Sequence, residues 1–404
     1  MRKLLLLSTM LLFTWITAFA GGFQVRLQGQ KQTGMGLIGS PMNFGASSIF
    51  YNPGALSMMK QNYSFDLGVN LISSNVLYQS TTSSYTAETN NPLGTPIYLY
   101  GAAKLSDKLT IGLGFYTPYG STTQWDDQWA GKHLIQNISL KAYFIQPTIS
   151  YKITDKLSIG AGFVFVEGSV DLQKALPYSE DSYVRLKGSD FNYGFNVGAY
   201  FQATEKLSIG IDYRSKVTME VDGGDAVFSI PSSLENIVSK TNKFAADLPL
   251  PANLDFGISY QITEKFLAAV ELNYVFWSTY KELTFTFEEN GDVLDNTNPR
   301  EYKDSFIPRL GLEYILNPMF TFRAGAYFDQ APTNDIYFNP ETVSLDTYAY
   351  TLGISIQPTQ RLGIELSYLG LNGKESVKKY EPANFEGRYK TSASVFGFGI
   401  NYNF

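Results

Sequence analysis

The sequence predicts an all-β fold: a fourteen-stranded antiparallel transmembrane β-barrel with an N-terminal hatch plugging its lumen. Three observations carry this. A tight polar turn that runs into an alternating strand recurs six times. Aromatic residues make up 15% of the 404, with 28 Tyr and 29 Phe, yet no long apolar run follows residue 20. A short secretory leader precedes all of it.

The leader sets the compartment. Arg2 and Lys3, an apolar run over residues 4–16 and Ala18-Phe19-Ala20 are the three parts of a signal peptide, predicted over residues 1–20. The run is short for a spanning helix, and the small residues fit cleavage before Gly21. With no cysteine there is neither lipoprotein processing nor a disulfide framework nor thiolate chemistry. Removing Arg2 and Lys3 from 31 basic residues leaves 29 against 37 acidic, a net charge of −8. Such acidity argues against nucleic acid as a partner.

The turns come next. SDKLTIGLG begins at Ser106, TDKLSIGAG at Thr154, TEKLSIGID at Thr204, TEKFLAAVE at Thr263, NPMFTFRAG at Asn317 and TQRLGIELS at Thr359. In each, two or three polar residues reverse the chain and a period of two follows, which is a strand with one apolar face. Six short turns separated by longer, variable polar stretches describe returns at one rim of a meander. A soluble repeat array would show a blade signature, and none recurs. An outer-membrane barrel also accounts for the aromatics, which collect at the two lipid interfaces. Open backbone groups are not tolerated in hydrocarbon, so the sheet must close. Six turns give twelve strands; residues 62–71 add one before them and 391–404 one after.

Residues 21–60, rich in Gly, Gln and Ser, have no sustained alternation. A flexible leader is one reading. Barrels much wider than eight strands need a plug or stay open, which favours a compact hatch over 21–60 ahead of a barrel over 61–404.

Along the strands, Leu207, Ile209, Ile211 and Tyr213 oppose Asp212 and Arg214, and Leu362, Ile364 and Leu366 oppose Glu365. An Arg on the lipid face at the midplane costs about 2–4 kcal/mol, so the charged face is the lumen. Asp212, Arg214, Asp255, Glu271, Arg309, Glu313, Arg323 and Glu365 then point inward, as a lattice bracing wall and plug. The last strand, SVFGFGINYNF, ends on Phe404, the kind of terminal aromatic that barrel-insertion machinery reads.

Catalytic chemistry finds no support. His133 is the only histidine and lies in a polar stretch between strands three and four, so no base is placed beside a nucleophile. No metal-ligand cluster, phosphate loop or cofactor motif appears, so no cofactor and no metal are expected. In the outer loops, PSSLENIVSKTNKF offers Ser232 or Ser233 as a helix cap with Leu234, Ile237 and Val238 on one face, followed by Phe244, Leu248 and Leu250. These side chains either capture a hydrophobic ligand or pack the loops together. Strand three alternates through Leu109, Ile111, Leu113 and Phe115, then breaks at Tyr116-Thr117-Pro118-Tyr119-Gly120. Pro118 cannot donate to a ladder, so it marks either a bulge or the strand's upper end.

These stretches together resemble the FadL-type outer-membrane transporters of long-chain fatty acids and other hydrophobic compounds. GGFQ opens the mature chain as in that family. ASSIFYNPGAL resembles its hatch motif, carried by Asn52 and Pro53, with Gly54 where alanine is usual. GLGFYTPYG, ELNYVFWSTYKEL, YKDSFIPRLGLEY and FTFRAGAYFDQAPTND look like further family blocks. The resemblance implies passive uptake of a hydrophobic small molecule such as a fatty acid. The ligand is captured at the loops by Leu234, Ile237, Val238 and Phe244, held in a pocket lined by Phe23 and Val25, and released sideways into outer-membrane lipid. The family's inward kink in strand three places that exit at Gly114, Tyr116, Thr117 and Pro118. A monomer is expected. A general porin for polar solutes or a surface adhesin barrel are the alternatives.

Overall fold

The computed structural model describes residues 22–404, so the predicted signal peptide lies outside the described residues. Fourteen antiparallel strands form the wall: β1 (Tyr63–Ser80), β2 (Ile97–Lys104), β3 (Leu109–Gln124), β4 (Asn137–Lys152), β5 (Leu157–Ala175), β6 (Tyr183–Gln202) and β7 (Leu207–Arg214). They continue as β8 (Asn253–Thr263), β9 (Phe266–Val275), β10 (Ser305–Ile315), β11 (Phe320–Asp329), β12 (Thr347–Ile356), β13 (Leu362–Gly373) and β14 (Phe385–Asn403). Each pairs with its neighbour, and β14 pairs with β1 from Ser64↔Asn403 to Ser80↔Gly387, which closes the barrel. That ladder runs well past residue 71, because backbone pairing continues above the membrane after the apolar alternation has stopped.

The six recurrent turns share one device. The hydroxyl of Ser106, Thr154, Thr204, Thr263 or Thr359 accepts from the amide three residues on, at 3.0–3.1 Å. Asn317 does the same with its side-chain oxygen at 2.9 Å. A side-chain acceptor at the first turn position fixes the reversal locally, so turn and register are set together.

Residues 22–59 fill the lumen with two short α-helices, Gln30–Gly34 and Ser48–Tyr51, and the 3₁₀ turns Gly45–Ser47 and Pro53–Met58. They lie against a band of inward-facing wall glycines. A Cβ on Gly160 would sit 2.3 Å from Pro53 O, on Gly210 1.8 Å from Ser40 O, and on Gly325 2.2 Å from Gly36 N. Only glycine lets the two backbones approach so closely.

Charge holds the same interface, through two hatch-to-wall pairs and one pair within the wall that faces the hatch. Arg26 pairs with Asp255 at 2.9 Å, Arg309 with Glu271 at 2.9 Å and Lys31 with Glu365 at 3.6 Å, all buried or nearly so. Glu271 also accepts from the Gly39 and Ser40 amides at 3.1 and 2.8 Å. Arg214 caps the Phe50 ring at 4.4 Å and donates to Phe50 O at 2.6 Å. Leaving one such charge buried without its partner costs about 3–5 kcal/mol, so the hatch is bound to the wall by a lattice that resists piecemeal loss.

The stretch read as a capped helix is different. Residues 217–229 and 241–250 are strands of a hairpin with Thr241↔Val227 in register. Only residues 230–240 remain to turn the chain. They form a single 3₁₀ turn, Ser232–Leu234, after Pro231 and without a side-chain cap. Ile237 is 58% exposed whereas Val238 is 6%, so the three apolar residues share no face.

Candidate functional site: an apolar slot, a cavity and a break in the wall

The site grows from the hatch's first residues. Asn52 is extended; its Oδ1 accepts from Gly54 N at 2.9 Å, and its Nδ2 donates to Ser40 O at 2.8 Å and Ala199 O at 3.0 Å. One side chain thus ties two hatch segments to β6. A Cβ on Gly54 would lie 2.7 Å from Gly198 O and 2.8 Å from Ala199 Cα, so only glycine fits against this wall without a shift.

Above that tie, residues 23–25, the leader strand of the hatch and from here on simply the leader, act as an extra strand against β3. Gly120 N donates to Phe23 O at 3.0 Å, Val25 N donates to Pro118 O at 2.7 Å, and Gln24 bridges Tyr119. Gln28 Nε2 donates to Thr117 O at 2.8 Å. The edge is free for them because β3 is broken there. Tyr116 pairs with Phe144 and Tyr119 with Ala142, so Thr117 and Pro118 face a single residue of β4. On the other side β2 begins only at Ile97, and Thr117 Oγ1 makes the last contacts with its backbone. The wall is bonded again at Asn90 N–Gln124 O, 2.8 Å.

An opening therefore lies between Thr117–Gln124 of β3 and residues 91–97. A cavity of about 870 Å³ reaches it from inside, running from Phe23, Val25 and Leu27 to Leu93, Ser121 and Thr123. Behind Phe23 is a narrow slot with about 60 Å³ free, room for a few waters, lined by Ile138, Leu140, Leu172, Met219, Leu248 and other apolar groups. Phe23 lines both spaces. Its ring meets Trp277 edge-on at 4.9 Å and Tyr280 at 6.2 Å. At the slot's polar end Glu341 is paired with the buried Arg300. Burial raises the nearby Tyr280 phenol above its ordinary value, so its hydroxyl stays protonated.

The structure brings Phe23 and Val25 to these walls. Leu234, Ile237, Val238 and Phe244 line neither space; Phe244 is buried against Phe285 and Phe287 in the outer hairpin. Of the residues placed at the exit, Thr117 borders the cavity, but Gly114 and Tyr116 lie below the opening. Both still face β2, across from Tyr100 and Tyr98, and Arg214 holds the Tyr116 hydroxyl at 2.8 Å. Pro118 is buried and receives the leader. Met219 and Tyr280 of the slot were not singled out beforehand; Leu248 and Leu250 carried a signal as alternating apolar residues. His133 is an exposed residue whose Nδ1 lies 3.2 Å from Ala175 O.

A barrel plugged by its own N-terminus, with apolar internal space opening through the wall, defines a class of outer-membrane transporters. The family model described as outer membrane protein transport protein (OMPP1/FadL/TodX) matches residues 10–404, and the chain belongs to that family. It transports hydrophobic compounds in the Gram-negative outer membrane and is not an enzyme. Outer membrane protein P1 of Haemophilus influenzae is 25% identical, covering 99% of this chain and 98% of its own. The long-chain fatty acid transport protein of Escherichia coli K12 is 22% identical over 96% and 95%. A Pseudomonas aeruginosa FadL homologue shares the fold with a TM-score of 0.85 at 19% identity, covering 95% of this chain and all of that one. The Ralstonia pickettii toluene transporter TbuX follows the same fold at 0.72 and 20%, covering 93% and 98%.

Proposed function

We propose that the protein takes up long-chain fatty acids by capture at the outer loops, transfer to the slot behind Phe23, and lateral release through the break beside β3. The observation that carries this is Phe23, which separates slot from cavity while residues 23–25 occupy the broken edge of the wall. The slot as it stands is too small for an acyl chain, so a ligand widens it by displacing lining side chains, and Phe23 must move for that ligand to pass on to the cavity and the β3 opening. The two leader hydrogen bonds are together worth about 1–3 kcal/mol, and burial of Phe23 about 1.5–3 kcal/mol. An acyl chain gains about 0.8 kcal/mol per CH₂ taken from water, so roughly eight methylenes offset both. Small polar solutes gain nothing comparable.

Ile237, exposed on the outer hairpin, is the loop residue open to incoming ligand, while Leu234, Val238 and Phe244 support that loop. Released ligand passes into outer-membrane lipid. Insertion machinery reads the aromatic C-terminus during assembly, and the protein works as a monomer. A disulfide between the bridge partners, Gln24→Cys with Tyr119→Cys, locks the leader to β3. Oxidised, it should lower uptake of labelled oleate severalfold without changing arabinose permeation, and reduction should restore uptake. Equal loss of both solutes would favour a general porin.

A further inference from the structure

The wall has a second interruption, between β6 and the hairpin that rises from β7. At its lower end Asn196 pairs with Arg214, and at its upper end Lys187 pairs with Asp225. Between these anchors residues 188–195 of β6 face residues 215–224, eight against ten. Phe195 and Ser215 exchange bonds of 2.9 Å just above the lower anchor. Above them β6 has no ladder partner on that side until Lys187. Peptide groups alternate along a strand, so those of Ser189, Phe191 and Tyr193 point into the interruption, as Phe195 does. The excess chain is absorbed at Gly223, whose φ is +69°.

Side chains close this seam instead of hydrogen bonds. Residues 217–221 pair with 246–250 and bow inward, which sets Val217, Met219 and Val221 against wall glycines. A Cβ on Gly194 would lie 2.7 Å from Val217 Cγ2, on Gly188 2.3 Å from Val221 Cγ1, and on Gly168 2.0 Å from Met219 Cε. Met219, Val221 and Gly168 also line the apolar slot. The partition between slot and seam is thus a layer of apolar side chains, one of them a flexible methionine, beside the polar pair Asp190 and Asn192 that lies between the two glycines on β6. Outside, Phe191 and Tyr193 are 68% and 62% exposed, the highest values of any aromatic side chain among the described residues. They mark the seam as lying at the lipid interface. A ladder left open at that level is costly to a membrane wall.

We propose that this seam is a second lateral passage, joining the slot directly to outer-membrane lipid without movement of Phe23, with Met219 as its gate. The inference rests on lateral release as the mode of transport, with the slot as the shared compartment. Opening needs only rotation of Met219 and a small outward shift of Val217 and Val221, since no ladder bonds have to break. The β3 opening, by contrast, is barred by the leader's hydrogen bonds.

The test compares two locks in cells that depend on this protein for uptake of labelled oleate. The chain has no native cysteine to interfere. Gly194→Cys with Val217→Cys locks the seam, and Gln24→Cys with Tyr119→Cys locks the leader. With the leader locked, a residual uptake of at least a tenth of wild type is expected, and locking the seam as well should bring it to background. Reduction should restore uptake in each case, showing that the barrels are folded. In the leader-locked protein, Met219→Ala should raise the residual at least twofold. The seam is refuted if the leader lock alone reaches background, if the double lock retains the same residual, or if Met219→Ala changes nothing. Uptake untouched by the leader lock but abolished by the seam lock would instead remove the β3 exit and keep the seam.

Discussion

Gly210 has no room for a methyl group, because Ser40 O lies 1.8 Å from where its Cβ would be. Gly210→Val should therefore push the hatch off β7 and cost about 1–3 kcal/mol of overpacking strain. The readout is a lower temperature for the shift between folded and unfolded bands on a gel. Such glycines were visible in the repeated turns, where Gly112, Gly160 and Gly210 each stand six residues after the Ser or Thr. Their inward orientation follows from the period of two; that a backbone would be pressed against them does not. Glu271 works differently. It neutralises Arg309 and also accepts two hatch amides, so Glu271→Leu leaves two buried donors without an acceptor and Arg309 with Asp255, 3.9 Å away, as its remaining carboxylate. Urea unfolding in detergent should show a loss of about 3–5 kcal/mol, and Glu271→Gln, which keeps an acceptor, should lose less. The inward direction of these charges was legible because a wrong face would put them in lipid. Their pairing with Arg26 and Lys31 was not, since the hatch has no period to read.

Among the elements, β3 carries most of the proposed route. Its bulge places two residues, Thr117 and Pro118, against one of β4. Deleting Pro118 should restore a continuous β3–β4 register, remove the acceptor for Val25 N, and lower oleate uptake severalfold in a barrel that still shifts on heating. Wild-type uptake by the deletion would mean that the bulge is incidental. The proline and the paired aromatics announced the irregularity, but its height depends on where β2 ends, and residues 89–97 show no alternation from which to read that end. The outer hairpin is a similar case. PSSLENIVSK has helical spacing, yet long-range pairing of residues 217–229 with 241–250 leaves only eleven residues between strands. Tertiary pairing overrides a local propensity worth a fraction of a kcal/mol per residue. The six turns suffered no such competition, since each is fixed by its own Ser, Thr or Asn, and the strand count followed from them.

At the scale of the whole molecule, a rigid plug and a weakened wall divide the work. Glycine contacts and buried charge pairs hold residues 26–59 to the barrel, whereas residues 23–25 are held by few bonds at the opening. Lateral release requires the first of these to stay in place and the second to move. Ser57 N donates to Ser150 Oγ at 3.1 Å, which brings hatch and β4 within reach of a disulfide. The most direct measurement is oleate uptake by the oxidised Ser57→Cys, Ser150→Cys protein, set beside the leader lock in the same cells. Lateral release predicts wild-type uptake with the hatch tethered and a severalfold loss with the leader locked. Uptake abolished by the hatch tether and recovered on reduction would show that the ligand passes beneath the barrel, and would contradict it.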